Sequence, residues 1–199
     1  MPNNGGYDFA ADPGNSALIQ PIFWTPQADP ATLPFAAGPS PAGDLSVRVD
    51  DLHANAIVEH DGAFLRLVLR GEPYDVALAD ADDSRPLGAF VMFDELTPDR
   101  LIAIERLWYA MLGKRVPPDP RLTPQRRHRA RLMLRVFDAR VAGASYRKIA
   151  EQIFPKLKHD AATWDENPVR VSIARLARDG MSNVRGGYRT LLRRPRRSR

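Results

Sequence analysis

The chain has 199 residues, 44% of them apolar, and a formal net charge of +5. That length and apolar content suffice for one domain, or for two small ones, with a packed core. The absence of cysteine excludes disulfide scaffolds, zinc ribbons and thiol nucleophiles. No window approaches the roughly 18 apolar residues of a membrane span, and the first residues form no signal-peptide pattern. We therefore expect a soluble cytoplasmic protein that does not bind membranes.

The charge is divided unevenly along the chain. Residues 1–118 contain 8 Lys+Arg and 17 Asp+Glu, a net charge of −9, whereas residues 119–199 contain 21 Lys+Arg and 7 Asp+Glu, a net charge of +14. Of those 21 basic residues, 18 are arginine, the side chain best suited to bidentate contacts with phosphate and guanine. The second part of the chain is therefore expected to bind a polyanion.

The N-terminal region is rich in residues that disfavour regular structure. Residues 1–43 contain 8 Pro and 5 Gly, which predicts an extended arm. Phe23 and Trp24 lie within this arm, and two adjacent large aromatics predict that it is anchored on the folded body.

Within residues 44–96, short runs of alternating apolar and polar residues predict a small antiparallel β-meander. The first run is Leu45–Val49, and Asp61-Gly62 predicts a tight turn between two later strands. Before the last strand come three aspartates that match no calcium-loop spacing and are interpreted as a solvated acidic turn: Asp80, Asp82 and Asp83.

Residues 97–192 predict a series of helices. Thr97-Pro98 and Thr123-Pro124 each combine a capping hydroxyl with a proline suited to the first helical turn. The first helix has an apolar face with Leu101, Ile104, Trp108 and Leu112, and the second has a stripe with Ala130, Met133, Leu134, Phe137 and Val141. The predicted fold class is therefore α+β, with the β-meander followed by a mainly α bundle.

Residues 143–154 are the most informative segment. Gly143 ends one helix, Ser145 can cap the next, and an Ile149-Ala150 pair follows on its apolar face. A capping hydroxyl before an Ile-Ala pair is typical of the first helix of a helix-turn-helix, in which two helices approach closely.

A further helix after Asn167-Pro168 has an apolar back and an Arg/Ser front, as expected of a helix that enters the major groove. Its apolar side consists of Val169, Ile173, Leu176, Ala177, Gly180 and Val184. The candidate DNA-binding residues combine its polar side with two basic residues of the preceding helix: Arg147, Lys148, Arg170, Ser172, Arg175, Arg178, Ser182 and Arg185.

Two features lie outside the standard motif. A helix-turn-helix usually has a turn of three or four residues, whereas residues 155–167 separate these two helices, so the turn is enlarged. Within it, Trp164 is interpreted as a core residue. Residues 193–199 form a basic tail that is expected to be disordered in the free protein and to follow phosphates without reading sequence.

These residues resemble a bacterial family of helix-turn-helix variants. The segments that carry the resemblance are Phe23–Pro30, Gly143–Phe154 and Val169–Leu192, including the closing Gly-Gly-Tyr-Arg-x-Leu-Leu. The family includes an excisionase activator and a quorum-sensing antiactivator of integrative and conjugative elements. The resemblance implies a helix-turn-helix core and a partner that is either promoter DNA or a transcriptional activator.

Two functions remain open from the sequence. The first is a DNA-binding transcriptional regulator, linked to a mobile conjugative element, whose partner is double-stranded DNA. The second is a protein-interaction module, an antiactivator or adaptor, whose partner is a transcriptional activator or RNA polymerase. In a variant of these, the acidic half masks the basic half. The four histidines have no metal-ligand spacing, and no phosphate loop or nucleophile elbow is present. We therefore expect no enzyme activity, metal, cofactor or small-molecule substrate.

Overall fold

The computed structural model describes residues 9–10, 15, 19–39, 46–79, 85–157 and 161–195. The predicted acidic turn at Asp80, Asp82 and Asp83 and the last four residues of the basic tail lie outside these ranges. The chain divides into two compact units, residues 1–118 and residues 119–199, hereafter unit 1 and unit 2. This boundary falls where the sequence charge changes sign.

The described residues of unit 1 form a five-stranded sheet, a two-stranded ribbon and two helices. The elements are β1 (Phe9–Ala10), β2 (Phe23–Trp24), β3 (Leu33–Ala37), α1 (Val49–Ala54), β4 (Ala56–His60), β5 (Phe64–Leu69), β6 (Glu72–Leu78), β7 (Leu87–Ala89) and α2 (Thr97–Met111). The strand order of the sheet is β4-β5-β6-β3-β7, and β1 pairs with β2. The predicted α+β class is confirmed.

The sheet is mixed, whereas the sequence predicted a purely antiparallel meander. β4, β5 and β6 are antiparallel neighbours, but β3 runs parallel to β6, with Leu33 opposite Val76. β3 comes from the segment predicted as an extended arm, and its buried Leu33 and Phe35 explain why it joins the sheet. The strand predicted over Leu45–Val49 is wrong in its described part, because Val49 begins α1.

Two tight turns set the register of the meander. Asp61 and Gly62 have φ values of 50° and 64°, as the Asp-Gly turn signal predicted. Arg70 and Gly71, between β5 and β6, also have positive φ values, of 54° and 80°. Only the first turn carried a recognisable sequence signal, because arginine rarely adopts this conformation.

The predicted aromatic anchor is confirmed for Phe23, whose side chain is fully buried. Its ring lies 5.8 Å from that of Phe64, and the Arg66 guanidinium carbon lies 5.0 Å from its centroid. Arg66 also donates a hydrogen bond of 3.0 Å to the Ile22 carbonyl oxygen. These contacts attach the N-terminal segment to the face of the sheet.

Helix α2 buries an unexpected face. Leu107 and Ala110 pack into the core of the sheet, and the side chains of Arg100 and Arg106 are also buried. The apolar face identified from the sequence lies largely on the outside, with Leu101, Trp108 and Leu112 exposed by 54%, 42% and 37%.

Unit 2 is a small helical bundle. Its elements are α3 (Pro124–Val141), α4 (Tyr146–Ile153), a 3₁₀ helix (Ala161–Glu166), α5 (Pro168–Val184) and a final 3₁₀ helix (Gly187–Thr190). Its core comprises Met133, Val136, Ile149, Ala150, Ile173 and Leu176. Leu134 and Val141, which belong to the predicted α3 stripe, are 47% and 70% exposed, and Val184 on α5 is 50% exposed.

The helix starts in unit 2 follow the sequence prediction. The side chains of Thr123, Ser145 and Asn167 accept hydrogen bonds from the amides of Arg126, Lys148 and Val169, respectively. Each cap satisfies a backbone donor that has no partner within its own helix.

The crossing of α3 and α5 is very close. A Cβ atom on Gly180 would lie 2.6 Å from the Met133 carbonyl oxygen and 3.1 Å from the Phe137 Cβ. Only glycine fits at this contact without moving one of the two helices. Asp179 strengthens the crossing through a carboxylate oxygen 2.7 Å from Nη2 of Arg129.

Candidate nucleic-acid interface

Helix α5 has a buried side and an exposed side. Ile173, Leu176 and Gly180 are buried against α3 and α4. The candidate residues on this helix are all exposed: Arg170, Ser172, Arg175, Arg178, Ser182 and Arg185. The amphipathic division predicted from the sequence is therefore present, apart from the exposed Val184.

The centre of the exposed side carries two arginines without a local partner. Arg175 and Arg178 are three residues apart, so they occupy neighbouring positions on the surface opposite Gly180. Within the described part of the chain, neither guanidinium forms an ion pair or a hydrogen bond. Ser182 lies one turn further along the same strip. We call Arg175, Arg178 and Ser182 the outer face of α5.

Two candidates lie to the sides of this face. The Ser172 hydroxyl donates a hydrogen bond of 3.2 Å to the Pro168 carbonyl oxygen within the helix. Arg170 lies in the first turn, with Nε 3.5 Å from a carboxylate oxygen of Asp165. The predicted set is therefore not one continuous surface.

Arg147 and Arg170 meet in a groove at the start of α4. Its volume is about 490 Å³, and its lining includes a third arginine that the sequence analysis did not select. The lining residues are Arg140, Ser145, Tyr146, Arg147, Trp164, Asp165 and Arg170. We call this the three-arginine groove. Lys148 is exposed and is not among these lining residues.

Arg140 is held in place by its neighbours. Its Nη1 donates a hydrogen bond of 2.6 Å to the Ala144 carbonyl oxygen, and its guanidinium carbon lies 4.6 Å from the Tyr146 ring centroid. The sequence signal was the position of an arginine three residues before Gly143, which ends α3. That proximity to the next helix could have identified it.

A row of exposed arginines runs along α3. Arg127, Arg131 and Arg135 are exposed and recur every four residues, so they share one side of the helix. This side is opposite Met133, which contacts α5 through Gly180. Because the row and the outer face of α5 point away from the α3–α5 contact, they form separate surfaces.

Two further contacts hold unit 2 together, one at Trp164 and one between Arg126 and residues 190–193. Trp164 packs against the core as predicted, and it also lines the three-arginine groove. Arg126 donates hydrogen bonds to the carbonyl oxygens of Thr190 and Arg193, at 2.7 and 3.0 Å. The beginning of the basic tail is thereby attached to the start of α3.

Two features are absent from the described residues, a metal-binding cluster and a membrane-spanning helix. No group of three or more His, Asp or Glu side chains could hold a metal ion there. None of the helices in the described ranges is long and apolar enough to cross a bilayer.

Residues 88–193, slightly more than half of the chain, match the family described as "T6SS, Transcription factor, DNA binding domain". The chain belongs to this family. The match covers α2 and all of the described helices of unit 2, including the outer face of α5. Neither a curated protein nor a solved structure matches the chain. Membership identifies the protein as a DNA-binding regulator.

Proposed function

We propose that the protein regulates transcription by sequence-specific binding of double-stranded DNA through α4 and α5, a helix-turn-helix variant with an enlarged turn. The observation that carries this proposal is the outer face of α5. Its two arginines have no partner in the described structure, although the helix beneath them is packed against α3 and α4. A rigid helix with available guanidiniums can read base edges in the major groove.

The expected energetics follow from arginine chemistry. A bidentate arginine contact with guanine contributes about 1–3 kcal/mol of discrimination against a wrong base. Arg147 and Arg170, which line the three-arginine groove, would contact backbone phosphates and so set the position of the helix without reading sequence. Binding should therefore weaken steeply with added salt.

The family description names T6SS, and the regulators that the sequence resembles are encoded by integrative and conjugative elements. We propose promoter DNA of T6SS genes or of a mobile conjugative element as the ligand.

The test compares two double variants that remove the same charge. We expect Arg175→Gln/Arg178→Gln to lose specific affinity by about 30-fold or more, since two base contacts are removed. Arg131→Gln/Arg135→Gln, on the row along α3, is the matched control and should lose much less. Affinity is measured by fluorescence anisotropy on duplexes selected from a random library. Equal losses in the two variants would contradict reading by α5.

A second candidate function is supported by α2. Its exposed Leu101, Trp108 and Leu112 lie on one side of the helix, an arrangement that suits helix-in-groove recognition by a protein. The partner proposed from the sequence is a transcriptional activator or RNA polymerase.

Purified RNA polymerase holoenzyme is the probe for this second function. Binding that is lost in Leu101→Ser/Trp108→Ser and kept in Arg115→Ser would support it. Absence of binding at micromolar concentrations would reject the polymerase as the partner.

A further inference from the structure

The geometry points to the three-arginine groove as the site of one DNA-backbone phosphate, and to Asp165 as the anion that occupies its edge before DNA binds. This inference rests on the proposed function, because it assigns a ligand and a control element to the same surface. It also gives the enlarged turn a role, since Asp165 belongs to the 3₁₀ helix within that turn.

Three structural elements supply the cations. Arg140 comes from the end of α3, Arg147 from the start of α4 and Arg170 from the first turn of α5. The facing carboxylates are Asp165, next to Arg170, and Glu151, 3.6 Å from Arg147. With Asp165 in place, three positive and two negative groups leave an excess of one positive charge, and displacement of Asp165 raises this excess to two, which favours the binding of one phosphodiester.

The groove is partly pre-organised for an anion. The Arg140 guanidinium is fixed by the Ala144 carbonyl oxygen and by the Tyr146 ring. It therefore loses little side-chain freedom on binding, and its remaining N–H groups suit the oxygens of a phosphate. Arg147 and Arg170 provide further donors from two other helices.

The ion pair between Asp165 and Arg170 is weak. The Asp165 carboxylate oxygen lies 3.5 Å from Nε of Arg170, and the Asp165 side chain is 92% exposed. By contrast, the ion pair between Arg129 and Asp179 has a distance of 2.7 Å. A carboxylate that is so exposed and distant gives up its partner at small cost. In the free protein it lowers the local positive potential, so DNA must displace it.

The decisive variant is therefore one that improves binding. Asp165→Asn keeps the shape of the side chain and removes its charge, and we expect it to raise affinity for a random-sequence duplex of about 20 base pairs roughly fivefold at low salt. Asp138→Asn is the matched control, because it removes the same charge from an exposed position on α3. It should change affinity by less than about twofold.

The route of the effect is tested by a double-mutant cycle. If Asp165 acts by neutralising Arg170, the gain from Asp165→Asn disappears in an Arg170→Gln background. A gain that persists there, or an equal gain in Asp138→Asn, would show a general charge effect and overturn the inference.

Failure of this inference differs from failure of the proposed function. Binding that depends on Arg175 and Arg178 but is unchanged by Asp165→Asn overturns the inference alone. Absence of DNA binding by the unaltered chain at low salt overturns both. These outcomes can be read from the same anisotropy titrations.

Discussion

In unit 1, the side chains of Arg66 and Arg100 lie against carboxylates and backbone carbonyls, whereas in unit 2 those of Arg175 and Arg178 extend from α5 without a partner in the described structure. Arg100 is 1% exposed and donates hydrogen bonds to Asp94 and to the Met92 carbonyl oxygen. The same residue type therefore stabilises the fold at Arg66 and Arg100 and remains available for a ligand at Arg175 and Arg178. Local acceptors, rather than residue identity, determine which role applies.

The largest effect is expected at Arg100. Replacement by methionine removes the Arg100 hydrogen bonds to the Met92 carbonyl and the Asp94 carboxylate, which keep only the described bonds from Thr97 and Leu96, so unit 1 should lose about 3 kcal/mol of unfolding free energy. The measurement is hydrogen exchange of the β5 and β6 amides in the full chain. DNA affinity should not change. Arg115→Met, at an exposed position, is the control, and an equal loss there would break the comparison.

A smaller effect is expected for Arg66→Lys. Arg66 holds Asp75 through two hydrogen bonds, at 2.7 and 2.8 Å, and these bonds raise the pKa of Arg66 above its ordinary value. Lysine keeps the charge but cannot form this bidentate contact, so about 1 kcal/mol should be lost. The urea midpoint of unit 1 reports the change. A variant as stable as the original chain would show that charge alone suffices.

Low pH should weaken the contact between Asp94 and Arg100. Hydrogen bonding from Arg100 holds the pKa of Asp94 below its ordinary value. A depressed carboxyl pKa contributes stability that is complete above the unfolded-state pKa and is lost as the pH falls through the folded-state pKa. Unit 1 should therefore lose this contribution only below about pH 4. The loss should be absent in Asp94→Asn, as followed by pH-dependent hydrogen exchange.

The smallest effect on stability is expected at Arg178. Its replacement by methionine removes no described hydrogen bond, so the unfolding free energy of unit 2 should change by less than about 0.5 kcal/mol. Specific DNA affinity should nevertheless fall about tenfold. Thermal melting and anisotropy on the same preparation measure both quantities. A marked loss of stability would place Arg178 with the structural arginines of unit 1.

The sequence predicted the helix starts of unit 2 well because capping is local. Thr123, Ser145 and Asn167 each act on an amide two or three residues away, and the structure contains all three bonds. The parallel pairing of β3 with β6 joins segments about 40 residues apart, which no local pattern encodes. Hydropathy likewise could not place Arg100 inside and Trp108 outside.

Only part of the candidate site could be predicted from the sequence, because only part of it lies along a single helix. Periodicity along one helix identified the outer face of α5, because its residues repeat with the helical turn. The three-arginine groove combines Arg140, Arg147 and Arg170 from three helices, so recognising it required their packing. Asp165 carried no signal, since its significance depends on a neighbour in space.

Because α3 and α5 touch at Gly180, a larger side chain at this position would tilt α5. Arg170 lies ten residues from this point, about 15 Å along the helix axis, so a tilt of about 10° at the crossing would move it by roughly 3 Å. That displacement is close to the rise of about 3.4 Å between successive base pairs. A single methyl group at Gly180 would therefore displace the proposed phosphate contact of Arg170 by almost one base-pair step, although it would touch no nucleotide.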